Sequence, residues 1–539
     1  MNHNTSQSFA ECSAHGACII SPNASALQEI MLVMLKQTVF YLLKLEEEGV
    51  ANLEIVDSVI EELSMIDSLG EHADNQTMDI FSKHYLELVK LQGDYKKLCK
   101  AKKLKCIEVH SSVKFTVEMT ISTLIHHGER VFLEKYNKMS TKHKDLIEIL
   151  TGVIRGVAVD IMTLKEFDTE HRTTCHEACQ DVLNALNLFN SPRISLDKVQ
   201  KQTIKLVHTN FELLKLIDET QIKLYGHPEK VEVSTSTRPG KAVLVSGSSL
   251  FDLHAVLEAA KGKKVDVYTN GNLLAAHSFP KFREYKNLKG HFGSGIIPTV
   301  LDFATFPGAI LLTKNEAQNI EYLYRGHLFT ADKFVPKGVA QIENDNFTPL
   351  IEAAQNSKGF SKGMEREPVT VGFDSDDPSL LDFVKKFNNG TYQHLFVVGF
   401  MSELNAPAEY FEKFYKEMPN ETFVISLSYT SPWKNAININ VGMDYAQVYS
   451  ILDKLFTKIS DKADKITFML SRCDVRSLAN IIGLKEKGIN SIFLSSCSPR
   501  AINPALLKAF REIYNIRPTN SPKKDLDLIL KQRDSSDKK

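Results

Sequence analysis

From Ser25 onward apolar residues recur at three- and four-residue spacing, as Leu27, Ile30, Met31, Met34, Leu35 and Leu42, which predicts a helix with one buried face. The same period predicts helices over 53–67, 77–92, 112–137, 143–168, 174–189 and 195–225, most regular in 145–158 and 203–222. After the polar stretch Ser234–Gly240 the pattern changes. Lys241–Gly247, Lys264–Thr269 and Ala309–Thr313 are short apolar runs, and the helical pattern Leu250–Ala260 separates the first two. Alternation of this kind predicts parallel βαβ units. A second series begins near Val369–Phe373 and continues at 394–399, 422–428, 466–471 and 491–496, with helices near 378–388, 408–418, 446–460, 475–487 and 504–515.

These patterns divide the chain into a polar segment 1–23, a helical domain 24–238 of two packed bundles, α/β domains at 239–365 and 366–520, and a charged tail 521–539. The tail is expected to be a frayed surface segment. No period of 20–50 residues repeats.

At 539 residues the chain can bury several cores, and 43% hydrophobic with 24% charged residues are ordinary globular values. A net charge of −1 argues against nucleic acid or an anionic membrane as a partner held by bulk charge. The basic run Lys96–Lys105 reads as a solvated helix face. No apolar run is expected to reach a membrane span, and the N-terminus lacks both a basic signal segment and an Arg-rich presequence. Eight cysteines in so long a chain suit a reducing, cytoplasmic setting.

In open α/β sheets a ligand site forms at the carboxyl ends of the strands, here around Ser248, Asn272 and Glu316. The stretches Val245–Leu250, Val267–His277, Gly293–Gly295, Phe306–Gly308 and Leu312–Glu316, preceded by Leu224–Glu229, resemble successive motifs of the hybrid cluster protein family, also called prismane or hydroxylamine reductase. The resemblance extends over most of the chain. It implies a mostly helical N-terminal domain and two Rossmann-like α/β domains with mainly parallel sheets. It also implies a hybrid iron–sulfur–oxygen cluster held by one histidine, two glutamates and four cysteines, and a second cluster on four N-terminal cysteines.

Aligned by those motifs, the histidine position falls on Ser248 and the first glutamate on Asn272. The four cysteine positions fall on Glu316, Met401, Tyr429 and Asp444, and the last glutamate on Asp474. None keeps its residue type. Thiolate cannot be replaced by hydroxyl or carboxylate without changing the metal. Of the N-terminal set only Cys12 and Cys18 have counterparts, and two thiolates do not hold a four-cysteine cluster. The expectation is therefore a relative without iron–sulfur clusters and without catalytic residues, acting as a structural or interaction component of a protein assembly, possibly cytoskeletal.

Two rival readings stand beside it. One is a divergent oxidoreductase of hydroxylamine-reductase type with an atypical metal site. The other is a small-molecule or cation sensor, in which Glu316, Asp444 and Asp474 offer oxygen to a hard cation. The plainer account of those carboxylates is a wet polar cavity, or pairing with Arg472, Arg476 or Lys314. Cys175 and Cys179, at i and i+4 near His171 and His176, have a spacing zinc can use, but structural zinc sites draw four ligands from two segments; helix packing is expected. Cys473 is expected to be a buried thiol, and His126 and His127 to cover or line the bundle. No P-loop, nucleophile elbow or zinc-protease helix occurs in the sequence.

Overall fold

The computed structural model describes residues 21–69, 74–109, 111, 113–138, 140–167, 172–191, 194–293, 300–314, 326–332, 335, 338–373, 377–399, 406–427, 433–441, 445–459, 463–470, 475–494 and 504–536. The chain forms two compact units. One comprises the described residues of Met1–Leu213, Cys473–Leu484 and Cys497–Tyr514; the other takes the rest.

The helical unit begins with Pro22–Glu46, where Ser21 Oγ accepts the Ala24 amide at 3.1 Å and Pro22 occupies the first turn. That helix packs on Asp74–Lys102 and Ile121–Lys138, while Thr141–Phe167 packs on Leu53–Met65, Arg172–Asn187 and Pro504–Tyr514. Contrary to the expectation from sequence, Pro22–Glu46 is long and apolar enough to cross a membrane by length and composition; most of its apolar window is buried within the protein. The lysines of the 96–105 run lie exposed at the end of Asp74–Lys102, the solvated face expected.

Two segments assigned by sequence to the second α/β domain belong to the helical unit. The reason is close packing. A Cβ on Gly156 would lie 2.4 Å from the Val475 carbonyl oxygen, and one on Gly483 would strike the Phe211 ring. Asp160, fully buried, accepts from Arg476 Nε at 2.7 Å, and Asn210 donates to Asn480 at 3.1 Å. Arg476 is thus committed to Asp160.

The other unit holds two six-stranded sheets, all of whose pairings are parallel. The first contains β2 (Lys241–Ser246), β3 (Val265–Asn270), β4 (Leu288–His291), β5 (Ala309–Leu312), β6 (Leu328–Thr330) and β7 (Ala340–Gln341), in the order β4-β3-β2-β5-β6-β7. The second contains β9 (His394–Gly399), β10 (Thr422–Ser426), β11 (Ala436–Asn438), β12 (Ile466–Leu470), β13 (Ser491–Leu494) and β14 (Arg517–Pro518), in the order β11-β10-β9-β12-β13-β14. Both follow the 3-2-1-4-5-6 order of dinucleotide-binding sheets, with reversal between the first and fourth strands. The Rossmann-like expectation is met twice. Val369–Val371, read as the first strand of the second α/β domain, is instead β8, pairing antiparallel with β1 (Val231–Val233) in a separate ribbon.

The tail is not frayed. Pro522–Ser536 is a helix whose Leu526 and Ile529 enter a core with Phe396, Phe411, Phe414 and Met469, and Tyr410 donates to Asp525 at 2.7 Å.

Candidate functional site

β2 ends at Ser246, in register with Asn270 of β3 on one side and Leu312 of β5 on the other. Ser248, Asn272 and Lys314 therefore each lie two residues beyond the carboxyl end of three neighbouring parallel strands. The structure brings Ser248 and Asn272 to one edge, with Ser248 exposed and Asn272 half-buried. The β2–β5 boundary is where strand order reverses, the place such sheets bind ligands.

Several turns at this edge require glycine. Gly247 has φ 125°, and a Cβ there would meet the Thr313 carbonyl oxygen at 2.3 Å. Ser249 then caps helix Leu250–Ala259, its Oγ accepting the Asp252 amide at 3.1 Å. Gly293 has φ 121°, and a Cβ there would lie 2.7 Å from Asn270 Nδ2.

Beneath the edge lies a buried polar network that sequence reasoning did not single out. Ser246 donates to Asn270 Oδ1 at 2.8 Å, and Asn270 Nδ2 donates to the Phe292 carbonyl at 2.7 Å and to Asp302 Oδ2 at 3.5 Å. Thr269 Oγ1 lies 2.9 Å from His277 Nε2 and 3.0 Å from His291 Nδ1. Burial, and then the neighbouring His291, push the His277 pKa down to about 3, so this imidazole is neutral at ordinary pH and already bonded. A signal was present in the sequence: Thr269 and Asn270 end an otherwise apolar strand, where buried polar groups must find partners.

The remaining positions drawn from the resemblance, Glu316, Met401, Tyr429, Asp444 and Asp474, lie outside the described residues, as do Cys12, Cys18, His171, Arg472 and Cys473. So does the whole carboxylate set named for a hard cation. Cys175 and Cys179 are both buried, and burial pushes the Cys179 thiol up to about 12. Both belong to the packed face of the helix Arg172–Asn187. His126 is exposed and His127 half-buried on Ile121–Lys138.

A hybrid cluster can be tested against the donors this chain owns. Beyond residue 240 the sequence contains two cysteines, Cys473 and Cys497, where the resemblance calls for four. The two placed positions offer a hydroxyl and an amide, both poor ligands for iron in a sulfide cluster. The residues do not fit that group.

Residues 8–429 match the Prismane/CO dehydrogenase family. The hydroxylamine reductase of Thermodesulfovibrio yellowstonii is 26% identical over 553 residues, spanning 97% of this chain and 99% of its own. That of Maridesulfovibrio salexigens is 24% identical over 542 residues, spanning 96% and 97%. Among solved structures, Carbon Monoxide Dehydrogenase IV from Carboxydothermus hydrogenoformans aligns with a TM-score of 0.46 and 11% identity over 95% of this chain and 87% of that one. With a match running through well over half its length, the chain belongs to the Prismane/CO dehydrogenase family.

Proposed function

We propose that this chain is a catalytically silent member of the family, without iron–sulfur clusters, retained for its shape and surface as a component of a protein assembly. One observation carries the reading: beyond residue 240 the sequence contains two cysteines, Cys473 and Cys497, where the resemblance calls for a hybrid cluster on four thiolates. Ser248 and Asn272, standing at neighbouring strand ends in place of a histidine and a glutamate, support it. Loss of ligand chemistry leaves the packing of the sheets untouched, because the buried network under the edge is satisfied by the protein's own groups.

The test is quantification of iron and acid-labile sulfide on full-length protein purified anaerobically, together with turnover of hydroxylamine by a chemical reductant. Iron and sulfide well below one atom per chain, and turnover at the buffer rate, are expected. Stoichiometric iron with matching sulfide would overturn the proposal and restore the oxidoreductase reading.

A further inference from the structure

The opposite end of the first sheet carries different chemistry. Because β2, β3 and β4 are parallel, their amino-terminal ends meet on one edge, where a cavity of about 750 Å³ opens. That volume lies in the range of small-ligand sites. Its lining contains seven Lys and Arg side chains against three carboxylates, in a chain whose net charge is −1.

The three carboxylates are already taken. Asp266 receives a two-pronged bond from Arg238, 2.6 Å from each of its nitrogens Nε and Nη2. Glu284 pairs with Lys281 at 3.0 Å, and Glu258 accepts from the Tyr285 hydroxyl with Lys261 3.7 Å away. Four lysines remain. Lys241 and Lys289 donate to the carbonyls of Ser357 and Lys286, which carry no charge. Lys264 and Lys286, both exposed, pair with no carboxylate among the described residues. Lys264 is held in the left-handed region at φ 55° directly before β3, so its backbone position is fixed by the turn.

We propose that this edge is a binding site for a compact polyanion bearing several phosphate groups. Ammonium groups act on phosphate as point charges that need no fixed geometry, which suits lysines converging from separate turns. The floor, made of Ala260, Val265 and Tyr285, offers no exposed aromatic face: Tyr285 is 8% exposed and bonded to His254 at 2.8 Å. Recognition of a base by stacking requires such a face, so the phosphate chain, not a nucleobase, is the recognised part. The site is independent of the clusterless reading, since it lies at the other end of the strands from Ser248 and Asn272.

Inorganic tripolyphosphate is the probe, titrated calorimetrically into the full-length protein at low salt. Saturable binding that weakens with added salt is expected, with adenosine triphosphate at matched ionic strength binding within a few-fold. The exposed double variant Lys264→Glu/Lys286→Glu should bind at least about tenfold more weakly, ~1.4 kcal/mol, with its melting temperature unchanged when no ligand is present. Lys97→Glu/Lys100→Glu makes the same charge change on the helical unit's basic run and should bind as wild type. Equal loss in both variants would overturn the site, as would no preference over sulfate at matched ionic strength, or binding of the nucleotide but not of tripolyphosphate.

Discussion

His84 makes the stability of the helical unit depend on pH in a direction opposite to most proteins' acid sensitivity. The ring is 1% exposed, with Nδ1 3.0 Å from Glu87 Oε2 and Nε2 3.3 Å from Glu62 Oε2. Burial alone would push its pKa down; bonds to the two carboxylates more than offset this and raise it to about 9. Glu87 moves the other way: burial would raise it, but the His84 bond holds it below its ordinary value. The folded histidine therefore binds its proton more tightly than the unfolded one, near 6.5. Its contribution is fully present below pH 6.5 and is lost as pH rises through 9. At ~1.4 kcal/mol per pH unit the full contribution is about 3 kcal/mol, of which about 2 kcal/mol disappears between pH 6.5 and 8.5. The window stops at 8.5 because the raised Cys179 thiol adds its own alkaline loss above that. It starts at 6.5 because His277, with its depressed pKa, loses stability only as pH falls below that value. The measurement is urea unfolding followed by far-ultraviolet circular dichroism, since the single tryptophan, Trp433, lies in the other unit. The midpoint of the helical transition should fall by about 1 M across the window, and His84→Gln should flatten the slope. Equal slopes in wild type and variant would refute the assignment of the proton to His84.

Two further outcomes follow from buried contacts. Arg476→Met removes the guanidinium that bonds the fully buried Asp160 carboxylate, and denaturant unfolding should report a loss of ~3–5 kcal/mol; replacing both residues by apolar ones should recover most of it. Leu526→Ala in the C-terminal helix should cost ~2–4 kcal/mol as a core cavity, and removal of 521–539 should expose the Phe411–Phe414 surface to a hydrophobic dye, where a frayed tail would give no change in either.

Much of this architecture is legible in the sequence, and the reason differs by element. Lys241–Ser246, Val265–Asn270 and His394–Gly399 are buried inner strands, so they read as mainly apolar runs without polar–apolar alternation. Outer strands such as β7 and β14, two residues each, carry no period at all. Helix Pro522–Ser536 was hidden by its charges: Leu526 and Ile529 make one apolar contact line among Lys523, Lys524, Asp525 and Asp527, short of a full helical stripe. Assignment of Val475–Glu486 to a unit rests on its partner. The close approaches at Gly156 and Gly483 join residues far apart in the chain, and no local pattern records them.

The same physics shows which residues of the family-like stretches the fold itself requires. Glycines of the family-like stretches are held by contacts internal to this chain: a Cβ on Gly308 would stand 2.0 Å from the Ala242 carbonyl oxygen, and one on Gly293 would displace Asn270 from Asp302. Substituting them strains the sheet whatever lies at its edge. Ser248 has no such constraint, being exposed on the turn after β2; a histidine, a serine or another polar residue there leaves the strand pairing unchanged. Packing by itself is therefore enough to require these glycines. The donors are a separate matter from the scaffold, and beyond residue 240 the sequence offers two thiols, Cys473 and Cys497.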